Sequence, residues 1–391
     1  MRSTENYPLR VLLVSEPGWA GVFRHVEGLV DYLHEHGHNV ALAYSDVRGS
    51  KGLDALVDRI KERGGPTRNL RVSHAPQPGD LRAWASLFTL WKKFRPNIVH
   101  AHSSKAGSLV RLPFLFVRPP VPLVYTPNEY YGMGHPPGLL NSLFTWVERK
   151  LANVGTTINI SRDEADFACR RLGLQKENQE IIHNPVRTNF FFPATPETRL
   201  EARRTLSLPA GAWLLGTSGR IDVTKDIRTL YRALPPLLAR HPSLWLVHLV
   251  TGSLDPKLEQ EAKSLQIRDR IHYLPYREDM RCVYQSLDGF IMTSRAEAGW
   301  PIVILECLSC NLPIVSSTGP GMSNIGRSGL SHCWTAPVGD VAGFQGAVES
   351  MIQDSYQSRH CNHRELALER FQPEKIYREI VAVYRRRCES F

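Results

Sequence analysis

Residues 9–45, LRVLLVSEPGWAGVFRHVEGLVDYLHEHGHNVALAYS, set an apolar run, a glycine-containing turn, an amphipathic stretch and a second apolar run in succession. LRVLLVSEP (9–17) reads as a buried strand. After the turn GWAG, Val22, Val26, Leu29, Val30 and Leu33 recur at helical spacing across 22–37. Gly37 is placed to stop that helix, and HNVALAYS then restarts a strand. Two strands joined through a helix run parallel, so this one stretch predicts a βαβ unit rather than a hairpin.

The alternation continues outward. LRAWASLFTLWKKFRP (81–96) predicts a helix ended by Pro96, and NIVHAHS (97–103), PLVYTPN (122–128) and GTTINIS (155–161) predict further strands. A Pro- and Phe-rich connector, IIHNPVRTNFFFPATPETR (181–199), interrupts the pattern. A second series follows in AWLLGTSGR (212–220), SLWLVHLVTG (243–252), IHYLP (271–275), GFIMTS (289–294), LPIVSS (312–317) and HCWTAP (332–337). EKIYREIVAVYRRR (374–387) predicts a closing amphipathic helix.

The expected architecture is therefore α/β, two doubly wound, Rossmann-like domains. Their expected spans are 1–190 and 191–371, with a helix over 372–391 returning to the first domain. A chain of 391 residues is longer than one core usually serves, which agrees with two domains. Ligands of such sheets bind outside the carboxyl ends of the strands, so functional residues are expected in the loops that follow strands.

Composition narrows the class. A hydrophobic fraction of 42% and a charged fraction of 22% are those of a globular protein. The polar start RSTENYPLR lacks an apolar signal core, and the longest apolar runs, LPFLFV (112–117) and LWLVHLV (244–250), are too short to span a bilayer. Seven scattered cysteines predict free thiols in a reducing compartment, hence a cytoplasmic protein. The pair Cys307 and Cys310 has no second pair to complete a metal site and reads as two small apolar residues on a buried helix face. Net charge is +10, and residues 1–160 hold 19 Lys and Arg against 12 Asp and Glu. That basic half suits an anionic substrate or lipid surface. No nucleic-acid-binding motif accompanies it, so nucleic acid is not an expected partner.

Three stretches carry candidate chemistry. Gly18 and Gly21 flank the turn PGWAG (17–21) ahead of a helix, where backbone amides can approach an anion. In SGRIDVTKDIRTLYRAL (218–234), Arg220 and Lys225 follow a buried strand and are placed to neutralise a diphosphate. In SRAEAGWPIVILECLSCNLPIVSS (294–317), Pro301 suits the first position of a helix that Ala298, Gly299 and Trp300 leave uncapped. The amides near Ile302 and Val303 are then available to a phosphate, and Glu306 to paired hydroxyls such as those of a ribose.

The order of these motifs over nearly the whole chain resembles the retaining glycosyltransferases of family 4, which have the GT-B fold. IVHAHSSKAGSL (98–109) and VYTPNEYYGMG (124–134) resemble the subgroup that builds exopolysaccharide, capsule and O-antigen units. The resemblance implies a nucleotide-diphosphate sugar donor, a UDP-sugar first among them, held by the second domain without a metal. It implies a saccharide or lipid-linked acceptor on the first domain. Carried over by position, Arg220 and Lys225 match the diphosphate pair, Glu306 the ribose-binding acid, Gly21 the first-domain loop glycine, and Ser294, Thr318 and Gly319 the donor-pocket lining.

The chain departs from the family pattern in three places. The family's first acid belongs eight residues before Glu306, where Ala298 stands, and Glu297 lies one place early. Asn128 replaces the histidine expected after the strand-end TP, with His135 a few residues on. Ser323-Asn324 replaces a Pro-Glu-hydrophobic turn. Arg220, Lys225, Glu297 and Asn128 are thus the expected catalytic set. The same motifs also permit a degenerate relative that binds a nucleotide sugar or a partner glycosyltransferase without turnover, and a nucleotide-sugar epimerase. WASLFTLWKKFR (84–95) and RLPFLFVRPP (111–120) join aromatic and basic residues, which predicts contact with the inner face of the plasma membrane. On the structural reading, Trp84, Leu87, Phe88 and Trp91 form the core face of a helix.

Overall fold

The computed structural model of the protein describes residues 7–134, 138–219, 224–250, 254–275, 277, 279–355 and 361–391. The chain divides into two units, Met1–Asn184 with Pro373–Phe391, and Pro185–Gln372. The first change of unit falls six residues ahead of the expected 190, because Val186 is already buried in the second unit's core.

The first unit holds β1 (Arg10–Ser15), β2 (Asn39–Tyr44), β3 (Thr67–Asn69), β4 (Ile98–His102), β5 (Leu123–Thr126), β6 (Thr156–Asn159) and β7 (Gln179–Ile181). They form one sheet in the order β3-β2-β1-β4-β5-β6-β7, every pair parallel. The expected first helix is Ala20–Glu35, with Val26, Leu29, Val30 and Leu33 buried. β3 and β7 were not legible in the sequence: each has three residues, TRN and QEI, with no apolar run to mark it. Lys51–Glu62 and Leu139–Leu151 are helices beyond those the sequence pattern predicts.

Each face of this sheet has its own core. Helices Ala20–Glu35 and Lys51–Glu62 pack on one face together with the closing helix Pro373–Glu389. Helices Asp80–Phe94, Ser104–Arg111 and Leu139–Leu151 belong to the other side, where Leu87, Trp91, Leu109, Val110 and Ala152 are buried. The closing helix is fastened by Tyr377, whose hydroxyl donates to His25 O at 3.2 Å, and by Tyr384, which hydrogen-bonds His100 Nδ1 at 2.6 Å. Gly28 makes the approach possible, since a Cβ there would lie 2.2 Å from the Tyr377 hydroxyl.

The second unit holds β8 (Trp213–Gly219), β9 (Leu244–Val250), β10 (Ile271–Pro275), β11 (Gly289–Met292), β12 (Ile314–Ser317) and β13 (Cys333–Ala336). Their order is β10-β9-β8-β11-β12-β13, again parallel throughout. In both sheets the chain reverses its direction of travel once, between β1 and β4 and between β8 and β11. Those are the points where doubly wound sheets open a crevice at their carboxyl ends.

Two surface expectations change. Leu87 and Trp91 are buried, but Phe88 is only half-buried and Trp84 is exposed, so the helix Asp80–Phe94 does not bury all four residues. Arg111 is fully buried rather than basic surface: it donates to Glu148 Oε2 at 2.9 Å and lies 3.6 Å over the Tyr125 ring.

Candidate functional site

The carboxyl ends of β8, β11 and β12 bring most of the sequence candidates together. Arg220 lies outside the described residues, as does His135. Lys225 stands just before the helix Ile227–Arg240, and its ammonium donates to the carboxylate of Glu297, from the loop after β11. Both side chains are largely withdrawn from solvent, 16% and 12% exposed, so the pair is an ionic contact built into the site rather than a surface bridge. Glu297 stands nine positions before Glu306 rather than eight, yet the displaced acid reaches the lysine carried over as a diphosphate ligand.

The three loops are tied to one another through their backbones. Thr293 Oγ1 donates to the carbonyls of Lys225 and Asp226, each at 3.1 Å. Arg295 N donates to Thr224 O at 2.7 Å, and Glu297 N donates to Pro320 O at 2.9 Å. Ser317 Oγ donates to Ser294 O. The Ser294 hydroxyl is buried without a hydrogen-bond partner among the described residues. Gly319 is required by contact: a Cβ there would stand 2.2 Å from Arg295 O. Gly321 has φ +77°, and a Cβ would lie 1.8 Å from Glu297 O. The carbonyls of Arg295 and Glu297 thus approach this strand-end turn more closely than any side chain would allow. Thr318 beside it is exposed, and its amide donates to Ala336 O at 2.9 Å.

The helix Ile302–Ser309 begins one residue later than expected, with Pro301 as its N-cap at φ −62° and ψ 139°. No side chain caps it and no acid lies in its first turn. The half-buried Ile302 and Val303 therefore present the amides and partial positive charge of an uncapped helix end. Glu306 is buried farther along, where Tyr284 donates to its Oε2 at 2.6 Å. The sequence offered no sign of this partner, which comes from the short helix Arg281–Ser286 and is itself fully buried. Cys307 and Cys310 are buried, and burial pushes the Cys310 thiol up to about 12, so neither is a reactive thiolate.

The first unit's carboxyl edge is built differently. Gly21 lies in the first turn of Ala20–Glu35, whose N-cap Trp19 supplies no side-chain hydrogen bond. Beside it, the buried Glu16 accepts from Arg48 Nη2 at 2.5 Å. Asn128 has φ +56°, a left-handed conformation asparagine tolerates, and its amide donates to Thr126 O at 3.2 Å. The next residue, Glu129, has φ 108°, and its amide donates to the buried Glu164 at 2.9 Å. Burial raises the Glu164 carboxyl to about 8. The rings of His25, His100 and His102 cluster beneath the closing helix, tilted to one another, with His100 and His102 ring centres 3.9 Å apart. Burial holds all three below the usual histidine range, His25 at about 4.

Two parallel doubly wound sheets, with a cation and an uncapped helix end at the second sheet's switch point, agree with the GT-B fold that the motif order implied, and similarity to known proteins gives the class. The model of Glycosyltransferase Family 4 matches residues 19–190, and that of Glycosyl transferases group 1 matches residues 213–354. The chain belongs to the family 4 glycosyltransferases, as the motif order implied. It is 23% identical over 318 residues, 80% of each chain, to the UDP-Gal:alpha-D-GlcNAc-diphosphoundecaprenol alpha-1,3-galactosyltransferase of Escherichia coli. It is 33% identical over 148 residues, 35% of each chain, to the D-inositol 3-phosphate glycosyltransferase of Actinosynnema mirum. Among solved structures, Anabaena Alr3699/HepE in complex with UDP-glucose aligns with TM-score 0.79 at 18% identity, over 96% of this chain and 99% of that one.

Proposed function

We propose that this enzyme moves a hexose, galactose being the first candidate, from a UDP-sugar to a saccharide carried on a polyprenyl diphosphate, with retention of anomeric configuration. The observation that carries the reading is the arrangement at the second sheet: Lys225 beside Glu297, facing the loop that leads into an uncapped helix. Those groups supply what a departing nucleotide diphosphate requires, fixed positive charge and oriented amides in a partly dehydrated setting. The choice of donor and acceptor follows the Escherichia coli relative, which shares 80% of its length with this chain.

In this reading Lys225, Arg220 and the amides of Ile302 and Val303 take up the charge that develops on the leaving diphosphate, without a metal. Glu306, oriented by Tyr284, accepts the ribose hydroxyls of the donor. Glu297 exchanges its contact with Lys225 for a donor hydroxyl when the diphosphate claims the lysine. Ser294, Thr318 and Gly319 line the donor pocket, and Gly21 is the first unit's candidate for an anion at a helix start. Asn128 hydrogen-bonds a sugar hydroxyl as a neutral group, and the leaving phosphate accepts the acceptor's proton on the same face.

The test is release of UDP from a panel of UDP-sugars, with detergent-dispersed GlcNAc-diphosphoundecaprenol as acceptor and with EDTA present. Acceptor-dependent release that disappears in Lys225→Ala is the expected outcome. Tight nucleotide binding with no release from any donor overturns transfer in favour of a binding role. Conversion of the donor to its epimer without acceptor would identify an epimerase.

A further inference from the structure

Glu164 is fully buried in the short helix Arg162–Phe167, which follows β6, and it has no part in the proposed reaction. Its position is that of a helix-start acid: Ser161 is the N-cap, and its hydroxyl accepts from Glu164 N at 3.0 Å. An acid at this position ordinarily serves only the backbone of its own helix entry. Glu164 reaches further. Its Oε2 accepts from Ile160 N at 2.6 Å, and its Oε1 accepts from Glu129 N at 2.9 Å. Glu129 lies 35 residues away, in the loop that follows β5.

What the acid holds is a turn that the backbone resists. Asn128 and Glu129 are consecutive non-glycine residues at positive φ, 56° and 108°. The first lies in the left-handed well that asparagine tolerates. The second lies beyond it, where a Cβ is crowded and glycine is the usual occupant. Such a conformation persists only where its surroundings fix it. The next residue is fastened to the same neighbour, since the Tyr130 hydroxyl donates to Asn159 Oδ1 at 3.3 Å and its ring stacks on Phe167 with centres 5.7 Å apart. Asn128 itself folds back on the strand end, with Nδ2 donating to Thr126 O at 3.2 Å, a geometry available only while the turn keeps its shape.

We infer that Glu164 is a positioning residue: by holding the Glu129 amide it keeps Asn128 at the carboxyl end of β5 in the conformation that meets a sugar hydroxyl. The inference rests on the reading of Asn128 as a sugar-binding group and adds the buried acid behind it. Hydrogen-bond chemistry explains why an acid stands here. Two N–H donors from two segments converge on one side chain, and a carboxyl keeps an acceptor oxygen at each end in either charge state. A glutamine has one oxygen and would set an NH₂ group against the other donor. Losing the Glu129 contact lets the turn relax towards negative φ, and Asn128 moves with it.

The test is a double-mutant cycle of Glu164→Gln and Asn128→Ala, read by acceptor-dependent UDP release, by UDP affinity and by hydrogen exchange of the Glu129 amide. Glu164→Gln lowers kcat by about tenfold, as Asn128→Ala does, and leaves the Kd for UDP unchanged. The double variant loses no more than about twofold beyond Asn128→Ala alone, because the acid acts through the asparagine. Losses that multiply to about a hundredfold overturn the inference. So does a Glu164→Gln enzyme with the parent's kcat, and so does weaker UDP binding, since the acid would then support the fold at large. In the parent, the Glu129 amide exchanges at least about tenfold more slowly than an unstructured amide. Exchange at the unstructured rate overturns the inference even where Glu164→Gln does not fold. If no donor gives transfer, the proposed reaction fails by itself. Slow Glu129 exchange that Glu164→Gln accelerates then supports the hold on the turn, and exchange that the substitution leaves unchanged overturns it.

Discussion

The two sheets share a winding pattern but place their loop ion pairs differently. In the first unit, Glu16 follows β1 and pairs with Arg48, which follows β2, so the pair lies to one side of the β1/β4 switch point. The switch point itself carries His102, opposite Ser15 in register and held neutral by burial. In the second unit, Lys225 follows β8 and Glu297 follows β11, so the pair bridges the β8/β11 switch point. A pair beside the crevice stabilises a loop. A pair across it puts charge where a ligand sits.

Substitutions at the two pairs test this contrast. The largest effect is expected from Lys225→Ala, which removes a fixed charge from the leaving group and lowers kcat for UDP release by about 10²–10³, while leaving the largely buried Glu297 unpaired costs about 1–3 kcal/mol of stability. Steady-state kinetics beside a thermal scan separates the two, and a variant that merely unfolds would break the comparison. Acid is the next lever. The folded-state pKa of His25 lies near 4 against 6.5 when exposed, so the unfolded chain binds more protons between those values. Stability is therefore complete above about pH 6.5 and falls as pH drops towards 4, by about 3 kcal/mol from His25 alone. Urea unfolding at pH 7 and pH 5 reads this, and equal midpoints would show the histidines to be exposed to water.

A smaller loss is expected at the first sheet. Arg48→Ala leaves the buried Glu16 without its partner and costs about 1–3 kcal/mol, reduced by the solvent around Arg48. It leaves the donor KM unchanged. A raised donor KM would move this pair into the binding site and dissolve the distinction. The smallest effect is expected from Tyr284→Phe, which frees the Glu306 carboxylate from one hydrogen bond. The donor KM then rises by roughly fivefold, about 1 kcal/mol, while kcat holds. A matching fall in kcat would assign Tyr284 to the chemical step.

Much of the architecture could be read from local pattern, because strand and helix periods are written in neighbouring residues. The runs at 9–17, 97–103 and 212–220 correspond to β1, β4 and β8, and the closing helix lies within one residue of its expected start. Short polar strands such as TRN had no such signal. The helix Leu139–Leu151 stands outside the predicted pattern although its spacing is regular.

At the site, local pattern supplies residue types and their place after strands: Lys225, Glu297 and Glu306. It also places an uncapped helix start at Pro301, one residue ahead of the observed first turn. Only the tertiary structure decided that the Glu297 carboxylate meets Lys225, 72 residues away in sequence, and that Glu306 lies under the Tyr284 hydroxyl. It also decided that Arg111 is core and Trp84 surface. The physical reason is one of range. Backbone conformation follows from a residue's neighbours in the chain. The direction and partner of a charged side chain follow from which loops the sheet order sets side by side, and no local pattern encodes that order.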